Sequence, residues 1–106
     1  MANPWASEVS IPLDGVVLRA KLTLGALAEL ESALGEESLL ALVERFESGR
    51  FTSRDVLALI AAGLRGGGWQ GEERDLYHRD IAGGPLQAAQ LAAQLLAHAF
   101  SLPEQG

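Results

Sequence analysis

From Glu8 to Leu22 the chain alternates with a period of two. Val9, Ile11 and Leu13 alternate with Glu8, Ser10 and Pro12; after Asp14-Gly15, Val16, Leu18, Ala20 and Leu22 alternate with Val17, Arg19 and Lys21. Asp-Gly between two alternating runs predicts a two-residue type I′ turn, because both central positions need positive φ. The turn sets the register: Leu13 opposite Val16, Ile11 opposite Leu18, Val9 opposite Ala20, with one apolar face throughout. Pro12 has no N–H to donate, so its strand is an edge or pairs on one side only. A lone hairpin is marginal in water, so the apolar face is expected to lie on helices.

At Thr23 the period lengthens to about 3.6 residues. Leu24, Leu27, Leu30 or Glu31, and Leu34 predict a first helix, with Thr23 as N-cap and Gly35 as its stop. A second helix fits Ser38 to about Glu47, ending at Gly49. A third is capped by Thr52 or Ser53, with Thr52 and Asp55 spaced as a capping box. Its run Val56 to Leu64 contains no charged residue. Apolar on every side, this helix belongs in the centre of a core or between partners. Gly66-Gly67-Gly68 ends it, and a mobile loop is expected to follow. Glu72-Glu73-Arg74-Asp75 starts a short charged helix reaching about Ile81. Gly83-Gly84-Pro85 then breaks the chain, with Pro85 placed to open a last helix that runs to Phe100. The expected fold is mostly α with an N-terminal β-hairpin (α+β), about five helices packed in one small domain. Residues 1–106 form that single domain, with 8–22 the hairpin, 23–100 helical and 101–106 a flexible tail.

Composition narrows the function classes. The 106 residues leave room for one core, burying roughly two thirds of the unfolded surface. A net charge of -6, from 14 acidic against 8 basic side chains, argues against nucleic acid, whose phosphates need clustered Lys and Arg. No cysteine is present, so disulfides, thiol catalysis and cysteine metal sites are excluded, consistent with a reducing cytoplasm. The N-terminal residues lack the pattern of a signal peptide, and no apolar run reaches the ~20 residues of a membrane helix.

Candidate chemistry is sparse, and no enzyme, cofactor or metal is expected. His78 and His98 fall in no metal-binding spacing. Residues 66–71 formally match GxGxxG, but a helix precedes them where the dinucleotide fingerprint needs a strand. The acid pairs Glu36-Glu37 and Glu72-Glu73 suit helix starts. Trp5 and Trp69 lie in irregular segments, where each could anchor an interface or fold back on the core. The last helix is the strongest binding candidate. Leu86, Ala89, Ala93, Leu96 and Phe100 follow 3-4-3-4 spacing, while Gln87, Gln90 and Gln94 make an uncharged second face. That stripe could meet a partner helix, meet a second copy, or complete the monomer's own core.

Three segments carry a resemblance: 22–31 (LTLGALAELE), 49–56 (GRFTSRDV) and 62–68 (AGLRGGG). In order and spacing they resemble the small proteins encoded in gene transfer agent clusters of alphaproteobacteria, which are similar to tail assembly chaperones of long-tailed phages. The resemblance implies a non-enzymatic assembly factor in the bacterial cytoplasm. Such a factor binds the tape measure protein, a long helical rod, keeps it soluble and assists the tail tube protein in polymerising around it. The alternative is a structural tail completion or connector subunit of the particle. The resemblance assigns no binding residues.

Overall fold

The computed structural model describes residues 8–35 and 38–100. Trp5, Glu36-Glu37 and the expected tail 101–106 lie outside them. Strands β1 (Val9–Leu13) and β2 (Val16–Ala20) pair antiparallel in the anticipated register, Leu13 with Val16, Ile11 with Leu18 and Val9 with Ala20. Asp14 and Gly15 take φ of 50° and 81°, as a type I′ turn requires. Val9, Ile11, Leu13 and Ala20 are buried, whereas Val16 beside the turn is exposed. Pro12 sits between the hydrogen-bonded pairs, so its missing N–H faces the outer edge and takes no bond from the β1–β2 ladder. Its carbonyl accepts there from the Ala82 N–H at 3.3 Å.

The tip of the hairpin is latched from afar. The Asp14 N–H donates to the Asp80 carbonyl, while the Asp14 carboxylate accepts from the Asp80 N–H and from Arg79. A side chain at Gly15 has free space around it but must adopt a left-handed backbone. Gly15→Ala is therefore expected to cost about 1 kcal/mol, lowering the melting temperature by about 4–8 °C. Circular dichroism melts check this.

Helix α1 (Leu24–Leu34) is capped by Thr23, whose hydroxyl accepts from the Ala26 N–H at 3.1 Å. Helix α2 (Leu39–Ser48) is capped likewise by Ser38 and ends on left-handed Gly49. Helix α3 (Ser53–Gly66) opens with a full capping box: Asp55 N–H to the Thr52 hydroxyl, Thr52 N–H to the Asp55 carboxylate. Helix α4 (Gly84–Phe100) begins one residue before Pro85.

The uncharged helix α3 is the centre of the molecule. It packs against α1, α4 and β2, and Val56, Leu59, Ile60, Ala61, Ala62 and Leu64 are buried around its circumference. Residues from both strands and from every helix join it in one hydrophobic cluster. At its start α3 is tied to α2 by stacking of Phe46 on Phe51, centroids 4.6 Å apart. A two-point ion pair from Arg45 to the Asp55 carboxylate, at 3.0 and 2.9 Å, completes this joint.

Two local expectations need correction, and one left open is resolved. The charged helix anticipated over 72–81 is a single 3-10 turn, Glu73–Leu76. Leu76 is its one buried residue, so packing gives longer helix no support, and Ile81 is drawn instead into a bridge with Leu13. The triple glycine does stop α3, but Gly67 is held tightly on the backbone of β2 at Arg19 and Gly66 on that of Lys21 just beyond it, rather than opening a mobile loop. Trp69 is half-buried against the core, its backbone N–H donating to the Leu64 carbonyl at 2.9 Å, with Gly71 lying against its indole. Of its two sequence readings, folding back on the core is the one the structure adopts.

Candidate functional site

The last helix presents two different surfaces. Leu91, Ala92, Leu95 and Leu96 are buried, and Ala88, Ala89 and Ala99 pack partly against the core. This distributes the five candidate residues. Leu96, 4% exposed, is a core residue, and Ala89 is half-buried. Leu86 at 72% and Phe100 at 42% stand in solvent, with Ala93 exposed between them. The structure therefore brings Leu86, Ala93 and Phe100 onto one open face and separates Ala89 and Leu96 from it.

Two further residues complete that face. Gln90 and Ala97 are exposed, so the outward set is Leu86, Gln90, Ala93, Ala97 and Phe100, at 4-3-4-3 spacing. The signal was present in the sequence, but choosing apolar residues alone passed over Gln90 and tilted the stripe toward the core. Among the α-helices described, α4 is the one without Asp, Glu, Lys or Arg; α1, α2 and α3 each carry charges.

Beside the start of α4 lies an open groove of about 460 Å³. Phe51, Val56, Ile60, Leu76, Ile81 and Ala89 supply its apolar wall, and Arg79 and Asp80 stand on its lining. Such a surface can receive apolar side chains; it gathers no histidine or carboxylate pair for proton transfer. His78 and His98 are both exposed. Among the described residues no group of three or more His, Cys, Asp or Glu is placed to hold a metal ion. No described helix is long and apolar enough to cross a membrane.

Among the described residues Asp55, 7% exposed, is the buried carboxylate. Burial pushes its carboxyl up, but the Arg45 hydrogen bonds, the Thr52 N–H and the Arg45 charge outweigh burial and hold it below its ordinary value. Its oxygens are engaged by Arg45 and Thr52, which makes it a joint between helices rather than a proton carrier.

The geometry thus offers surfaces for protein partners. In comparison with known proteins, residues 6–102 match the family model described as phage tail tube protein, GTA-gp10. No curated protein and no solved structure matches the chain.

Proposed function

The chain belongs to the phage tail tube family GTA-gp10, and from that premise we propose that it is a structural component of a gene transfer agent or phage tail. The family match over nearly the whole chain carries this reading. It agrees with the resemblance drawn from residues 22–68 as to the kind of particle, and differs in the role: the family description names a tube protein, whereas the resemblance implied a helper. The surface supports a role among protein neighbours. Val17, Leu24 and Leu40, together with Leu86 and Phe100 on α4, are exposed on four different elements, so apolar anchors are spread over the surface. No catalytic step, cofactor or nucleic acid enters this role.

A second reading, the tail assembly chaperone, draws on the outward face of α4. An uncharged, mildly apolar helix face suits reversible contact with another helix, such as the tape measure rod. The particle itself separates the two roles. Mass spectrometry of purified particles is expected to find the chain in fixed ratio to the other tail proteins. Its absence from particles, together with a tape measure protein that becomes soluble only on co-expression with it, would replace the structural role by the chaperone.

A further inference from the structure

Among the described α-helices, α2 is the least embedded. It gives the core one buried side chain, Leu42, where α3 and α4 each give several. Close packing between elements runs among α1, α3, α4 and the two strands, and α2 stands outside that set. A crevice of about 460 Å³ opens beside it, lined by Leu34 of α1, Arg45 of α2, Asp55 and Ala58 of α3, and Glu73. The helix therefore leaves part of the space between its neighbours unfilled.

What seats α2 is local. Leu39, Leu42, Val43 and Phe46 turn one face to the core, while Leu40, Glu44 and Glu47 are exposed. Arg45 grips the Asp55 carboxylate at 3.0 and 2.9 Å, and Phe46 stacks on Phe51. Both ties run to the stretch of chain that directly follows the helix. Glycines at positive φ, Gly35 at 71° and Gly49 at 77°, flank α2, and a Cβ at either would meet open space.

We propose that α2 is a releasable helix: it lifts from the core as one unit while the hairpin, α1, α3 and α4 stay folded, and the Arg45–Asp55 pair is its latch. The core can spare it. Leu42 apart, the largest fully buried side chains, Ile11, Leu30, Leu59, Ile60, Leu64 and Leu95, come from other elements. Local openings of this kind need less free energy than global unfolding, in proportion to the few buried contacts they break. A helix of ten residues is marginal without support, so release also frees its backbone hydrogen bonds. Release bares Leu39, Leu42, Val43 and Phe46, spaced i, i+3, i+4 and i+7 along one apolar face. The device does not rest on which of the two tail roles holds.

Native-state hydrogen exchange tests this helix by helix. In the wild-type chain the amides of Val43 to Ser48, corrected for their intrinsic rates, are expected to exchange at least ~100-fold faster than those of Leu59 to Leu64. Equal protection would overturn the proposal. Ile11→Val trims the hairpin side of the core and is conservative enough to fold. It is expected to speed exchange in α3 about 5-fold and to leave α2 unchanged, because the open state keeps the contacts of Ile11. An equal acceleration in α2 would show that it opens only with the whole molecule, and would overturn the release. Arg45→Ala is expected to speed exchange in α2 about 10-fold by removing the hydrogen bonds to the Asp55 carboxylate. An unchanged rate there would overturn the latch.

Discussion

Gly66→Ala is expected to destabilise the protein by about 3 kcal/mol, the upper range for overpacking a tight site. A Cβ at Gly66 would run into the Lys21 carbonyl oxygen, with the Ala26 Cβ a further 3.4 Å neighbour. At Gly67 the obstacle is the Arg19 carbonyl, with the Ala20 Cα behind it. Both obstacles are backbone, so no rotamer change relieves them. Nor can the strand retreat freely, because the Lys21 N–H donates to the Gly63 carbonyl at 2.8 Å. Gly63 is tight too, its missing Cβ 2.7 Å from Leu95 Cδ1, but there a flexible side chain can yield. Gly25, in α1, has only the Thr23 hydroxyl at 3.9 Å. Gly25→Ala should therefore leave stability unchanged or slightly raised through helix propensity. Urea denaturation of Gly66→Ala and Gly25→Ala side by side decides the matter: equal midpoints would show that α3 does not depend on this close approach.

Asp55→Ala is expected to cost a similar amount, about 3 kcal/mol, since it removes the buried half of a part-buried ion pair and an N-cap partner together. Arg45 would lose its carboxylate, the Thr52 N–H would lose its acceptor, and the joint between α2 and α3 would rest on Phe46, Phe51 and Leu42. Asp55→Asn keeps an acceptor for Thr52 without the charge, so its loss should be smaller. The pH dependence follows from the same contacts. Asp55 titrates below its ordinary 3.8 in the folded protein. The unfolded chain thus takes up the proton first as pH falls, so the stabilisation is complete above the ordinary value and disappears as pH drops through the folded one. Wild-type stability should accordingly decline below about pH 4 more steeply than that of Asp55→Asn. Identical acid profiles for the two would show that the ion pair contributes nothing net.

Both positions were visible in the sequence, but with different completeness. The Thr52 and Asp55 pair announced a capping box because its two residues are three apart and act within one turn. That Arg45, ten positions earlier, would complete it was not legible, since the approach depends on how α2 folds back on α3. Gly66-Gly67 announced the end of a helix. Its larger role, the contact with β2, joins residues more than forty positions apart and appears in no local pattern. The candidate site divides in the same way: the periodicity of α4 identified an amphipathic helix, yet a helix without Asp, Glu, Lys or Arg has no charged side to show which face turns inward.

The sequence alone determined the hairpin register, its Asp14-Gly15 turn, the caps at Thr23 and Thr52, and the central place of the uncharged α3. These follow from steric and hydrogen-bonding preferences acting within a few residues, and from the cost of exposing an apolar helix. Tertiary structure decided the rest: the 3-10 turn in place of a charged helix, the seating of Gly66 and Gly67 on the backbone of Lys21 and Arg19, and the split of α4 into a core face and an open one. In each case the deciding energy comes from surfaces that folding brings together, and the strand edge or helix face that supplies it lies far away along the chain.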